Sequence, residues 1–113
     1  MSAVSVEAEL CESVRLLALP GEDAMSEVGA PGKTADRMAH RFDEAYTRWV
    51  AELQDLPPVA LFETLQRIDG ALLELARPEH RELWTDTELC GHAAWQGVRV
   101  LAADAFARLE GVL

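Results

Sequence analysis

The stretch "TADRMAHRFDEAYTRWVAEL", Thr34–Leu53, decides the fold class. At about 100° per residue, Ala35, Met38, Ala39, Phe42, Ala45, Tyr46, Trp49, Val50 and Leu53 fall within an arc of roughly 140°. Arg37, His40, Arg41, Glu44, Thr47 and Arg48 occupy the other side. One face packs and the other is wet, which is an amphipathic helix over about 34–54. Glu44 and Arg48 stand in the favourable order for an i,i+4 pair.

The same period runs outward in both directions, and no stretch alternates with a period of two. Toward the N-terminus, Ala3, Val6, Leu10, Val14 and Leu17 form one stripe, giving a helix over about 3–18. The segment "LPGEDAMSEVGAPGK", residues 19–33, then breaks the pattern with two prolines and three glycines, and reads as a long mobile loop.

Toward the C-terminus, a helix over about 58–76 is bounded by Pro57, Pro58 and Pro78, with Asp55 placed to cap it. Its core face is Leu61, Leu65, Ile68, Leu72, Leu75 and Ala76. "PEHRELW" has room for one short turn. Thr85 and Glu88 match a capping box that opens a last helix over about 86–112. That helix is apolar nearly all round, the pattern of a rod enclosed by its neighbours. The expectation is an all-α, compact, four-helix bundle-like single domain spanning 1–113, with a long loop after the first helix.

Length and charge narrow the function. A chain of 113 residues buries about two thirds of its extended surface, which supplies one core. Ten bases against 20 acids leave a formal charge of -10, which opposes contact with phosphate backbones and suits a basic partner. No apolar run approaches the ~20 residues that cross a bilayer, and "MSAVSVEAELCESV" lacks the pattern of a signal peptide. Cys11 and Cys90 do not suggest a disulfide scaffold. The expected location is the cytoplasm, with no membrane association.

The motifs that could carry chemistry fail on spacing. Cys90 and His92 are two apart, about 200° on one continuous helix, so they cannot share an ion. Trp95-Gln96-Gly97 spells the W-x-G signature of small secreted helical hairpins, where it forms the turn between two helices. Here the helical pattern continues straight through it, and that family is rejected. "GAPGKT", Gly29–Thr34, looks like the tail of a phosphate-binding loop, but Glu27 stands where a glycine is required and no strand precedes it. Thr34 reads instead as the cap of the helix that follows.

His40, exposed at mid-helix, resembles the reactive residue of histidine phosphotransfer domains. Those usually carry a lysine three residues on, where this chain has Asp43, and Asp36 and Glu44 add opposing charge. No serine has a histidine placed to serve it, and the chain lacks the Glu-x-x-His of di-metal bundles. Asp69, at the edge of a core face, is the acid that stands out. Neither cofactor, metal nor catalytic residue is expected.

Three readings of function remain. The first is a non-enzymatic interaction protein (an adaptor, chaperone or inhibitor) that binds a protein partner, or another copy of itself, through a helical surface. Tyr46, Trp49, Trp84, Trp95 and Phe106 are many large side chains for one small core, and aromatics left at a rim dominate interfaces. Trp49, Trp84 and Trp95 are the candidate anchors, with Arg99 one turn beyond Trp95 and able to lie across its ring. The second is an acidic mimic of nucleic acid that inhibits a DNA- or RNA-binding enzyme, built on Glu7, Glu9, Glu12, Glu22 and Asp23. Residues 1–32 carry six acids and one base. The third is a phosphotransfer protein or helical enzyme centred on His40.

Overall fold

The computed structural model describes residues 5–112, and all its regular elements are helical. They are α1 (Val6–Ala18), α2 (Gly21–Val28), α3 (Thr34–Ala51), α4 (Val59–Leu75), a 3-10 segment (Pro78–Trp84), α5 (Asp86–Gly91) and α6 (Ala93–Val112). No strand occurs among the described residues.

Helix α3 buries the stripe its sequence announces: Ala35, Met38, Phe42, Ala45 and Trp49. Helix α1 is capped by Ser5, whose side chain accepts from Ala8 N at 3.0 Å. Leu10, Val14, Leu16 and Leu17 form its inner face, and the buried Ser13 hydroxyl donates to Leu10 O at 2.8 Å. Ala3, read as the start of this stripe, lies outside the described residues. Helix α4 buries Leu61, Leu65, Ile68, Leu72 and Leu75, and α6 buries Trp95, Val98, Ala102, Ala105 and Leu109.

These four long helices follow one another in space as α3, α1, α6, α4. Neighbours in that order pack closely, but α3 and α4 touch only sparsely. The bundle is therefore open along one edge, and that edge positions the candidate site. Three further helical segments complete the body, so a simple four-helix bundle does not describe it.

The expected loop over 19–33 contains a helix instead. Pro20 has the fixed φ (-54°) and extended ψ that suit the residue before a helix, and Glu22 and Asp23 sit in the first turn of α2, where they complement its dipole. Gly29 stops the helix at φ 65°, its N–H donating to Met25 O. The prolines and glycines mark the ends of a helix rather than a long irregular stretch. Ala24 and Gly21 are buried, and α2 packs on α5 and α3.

The last helix is not continuous. His92 is extended (φ -78°, ψ 139°) and separates α5 from α6. Its Nδ1 accepts from Ala94 N at 3.0 Å, while its own N–H donates to Glu88 O. Arg99 Nη1 donates to Leu89 O at 3.0 Å, covering another carbonyl at the end of α5. One imidazole and one guanidinium thus satisfy the backbone groups that a break exposes. Arg99 is used here rather than on the Trp95 ring.

Other expected contacts are replaced too. Pro58, not Asp55, occupies the cap position of α4, and Lys33 that of α3. Thr34 is buried within α3 and its hydroxyl finds no partner. Thr85 does cap as expected, accepting from Glu88 N at 3.2 Å, but the helix it opens is the short α5. Nor is α6 enclosed. Its outward positions mix Gln96, Asp104, Arg108 and Glu110 with Ala93, Gly97, Val100, Ala103 and Ala107, so it reads as apolar nearly all round because several alanines, a glycine and a valine face solvent.

Candidate functional site

The open edge between α3 and α4 is lined by aromatics. Phe42 and Tyr46 stack at 5.4 Å, Tyr46 and Trp49 at 6.3 Å, and Trp49 meets Phe62 of α4 edge-on at 6.1 Å. Phe42 and Trp49 are buried, whereas Tyr46 and Phe62 are only partly covered. The seam is filled from below and unfinished above.

Helix α4 carries a second apolar stripe beside its core face. Val59, Phe62, Gln66, Asp69 and Leu73 fall within an arc of about 80°, turned toward α3 and outward. Val59 is 71% exposed and Leu73 64%. At its lower end Leu56, 96% exposed, joins Pro57, Val59, Phe62, Glu63 and Gln66 around a shallow cavity of about 250 Å³. Across the seam α3 contributes Ala39, Asp43, Tyr46 and Val50. Exposed aliphatic side chains along one side of a helix, with Leu56 and Val59 gathered at its end, are the usual mark of a protein-binding surface.

Two carboxylates face this seam, Asp43 and Asp69, and neither has an ion pair or a hydrogen bond among the described residues. Burial and then the Asp43 charge push the Asp69 carboxyl above its ordinary value. Burial and then Asp69 push the Tyr46 phenol up as well. A carboxyl raised in the folded state holds its proton better there than in the unfolded chain. It therefore carries no penalty below its unfolded value, and the penalty to the fold grows as pH rises from there and is complete above the folded value. Asp69→Asn is accordingly expected to raise stability at pH 7, with the gain vanishing in acid. Urea titrations at pH 3 and pH 7 check this, and a stability gain that is the same at both pH values would contradict it.

The candidate anchors separate. Trp95 and Trp49 are 1% and 4% exposed and belong to the core. Trp95 Nε1 donates to Leu83 O at 2.7 Å. Trp84 is partly covered, donates to Leu75 O at 2.6 Å, and meets Trp95 edge-on at 5.2 Å. Trp84 and Trp95 tie the 3-10 segment to the bundle, and Trp49 fills the base of the α3–α4 seam.

The acidic N-terminal run is broken up in space. Glu9 pairs with Arg48 of α3 at 2.8 Å, and Arg15 is clasped by Glu12 and Glu27, both at 2.6 Å. Arg15 holds Glu12 and Glu27 below the usual carboxylate range. Arg48 bonds Glu9 rather than Glu44, whose partner is His40 on the exposed face of α3. Glu7 is partly covered, and Glu22 and Asp23 are exposed at the start of α2. The three acids engaged by arginine are not available as a row of phosphate-like charges.

The break at His92 removes the premise that Cys90 and His92 share one helix. Cys90 Sγ lies 3.7 Å from Met25 Sδ of α2, and burial, then Glu22, raises its thiol. The His92 ring caps α6 instead. No three His, Cys, Asp or Glu side chains are placed to hold a metal ion among the described residues. No described helix is long and apolar enough to cross a membrane.

Sequence reasoning missed the seam because it assigned α3 and α4 a single apolar face each. The signal was present in Val59, Phe62 and Leu73, which sit off the core stripe of α4. Compared with family models, curated proteins and solved structures, the chain finds no match.

Proposed function

We propose that this is a small acidic interaction protein, an adaptor, chaperone or inhibitor without catalysis of its own, that binds a protein partner through a helical surface. The observation that carries this reading is the exposed apolar stripe of α4 beside the open α3–α4 edge. Trp49 and Trp95 belong to the core and Trp84 is only partly exposed, which favours Val59, Phe62 and Leu73 as the anchors. Its net charge of -10 favours a basic partner and hastens its encounter. Pairing of Glu9, Glu12 and Glu27 with arginines weakens the alternative of a nucleic-acid mimic.

Affinity capture from the native host, using the wild type and Val59→Glu/Leu73→Glu in parallel, tests this. Both positions are exposed, so the variant keeps its helical circular dichroism. The wild type is expected to retain a partner that the variant loses. A wild type that retains no protein removes the reading. Equal retention by both leaves an interaction protein whose contact surface lies elsewhere.

A further inference from the structure

We propose that the α3–α4 seam is a docking groove for an amphipathic helix of a partner protein, one that carries a cationic side chain among its apolar anchors. The proposal rests on the interaction reading above and names the partner's chemistry.

Shape and length favour a helix. Val59 to Leu73 spans fourteen residues of α4, about 21 Å at 1.5 Å per residue, or roughly four turns of a helix laid alongside it. Helices α3 and α4 touch sparsely, and a third rod laid over the half-covered Tyr46 and Phe62 would meet them with anchors spaced i, i+3 or i+4, and i+7. The exposed aliphatics Val50, Val59 and Leu73 and the half-covered Tyr46 and Phe62 form its walls and floor.

Charge selects the occupant. The apolar stripe of α4 contains one charged residue, Asp69, and the facing side of α3 contains one, Asp43. Both stand on the seam-facing stripes of their helices with no cation of this chain paired to either among the described residues, and burial, then the Asp43 charge, disfavours ionisation of Asp69. A guanidinium or ammonium entering between them relieves that repulsion and is held from two helices at once. A second copy of this chain is a poor occupant. The seam has no cation to offer, so self-docking sets carboxylates against carboxylates on a body already at -10.

The test uses the whole chain, isotopically labelled, and three synthetic helical peptides of about 16 residues, roughly four turns. They have identical leucine anchors and differ in one position on the apolar face: Arg, Gln or Glu. The Arg peptide is expected to shift the methyl and aromatic signals of Val59, Phe62 and Leu73, and to bind at least about tenfold more tightly than the Glu peptide. Asp43→Asn/Asp69→Asn is expected to abolish the preference for Arg over Gln while apolar binding persists. Equal binding of the Arg and Glu peptides, or no shift at the seam, overturns the proposal. So does sedimentation showing a dimer that Leu73→Glu dissociates, because the occupant is then another copy. A host partner lost on Val59→Glu/Leu73→Glu, together with peptides that show no cation preference, leaves the interaction reading standing and removes this one.

Discussion

Replacing Trp95 by Ala is expected to lower the unfolding free energy by about 3–5 kcal/mol, the largest effect among the substitutions considered. Trp95 is the largest of the fully buried side chains. Its indole fills the junction of α6 with the 3-10 segment, meets Trp84 edge-on, and donates to Leu83 O. Truncation removes the ring, leaves a cavity that surrounding helices fill only in part, and strands the partly buried Leu83 carbonyl. Trp95→Phe keeps most of the volume but not the donor, so it should cost less. Urea denaturation followed by far-ultraviolet circular dichroism measures both. If Trp95→Ala proved as stable as the wild type, the 3-10 segment could not be seated on α6 as described.

Gly21→Ala is the second. A Cβ built at Gly21 lies 2.6 Å from both Cys90 Cα and Cys90 Sγ. The thiol could turn aside, but the Cα belongs to the backbone of α5 and can move only if α2 and α5 separate. The expected cost is about 1–3 kcal/mol, for a change that ordinarily favours helix formation. Cys90→Ala in the same chain relieves the sulfur contact and leaves the backbone one, so only part of the loss should return. Full stability of Gly21→Ala would mean that α2 does not rest on α5, and that residues 19–33 behave as the loop their punctuation suggests.

What the sequence made legible was the regular part. The stripes of α1, α3 and α4 repeat at the helical period over three turns or more, so solvent and core divide them without help from tertiary contacts. Helix α2 is only eight residues long, and its breakers dominate a short window. Pro20, Glu22, Asp23 and Gly29 nonetheless form a start and stop signal that could have been read as such. The break at His92 was not readable. Apolar periodicity continues on both sides, and the partners that make the break tolerable, the His92 ring and Arg99, are ordinary surface residues until the fold brings them to the exposed backbone.

The candidate site divides in the same way. Trp49, Trp84 and Trp95 were conspicuous by size, yet size alone does not separate a core residue from an anchor, and two of the three are buried. Asp69 could be marked from its place at the edge of a core face. Its opposition to Asp43 could not, because it depends on which helices become neighbours. The seam itself arises from the spatial order α3, α1, α6, α4, and periodicity does not specify that order.

Photo-cross-linking in the native host tests the central claim most directly. Leu73 in the seam and Val100 on the outer face of α6 are similarly exposed aliphatic positions, at 64% and 70%, so a benzophenone side chain at either samples one face with equal access. A discrete adduct from position 73 and none from position 100 is the result this account predicts. An adduct from position 100 alone, or none from position 73 in cells where the protein is abundant, contradicts it.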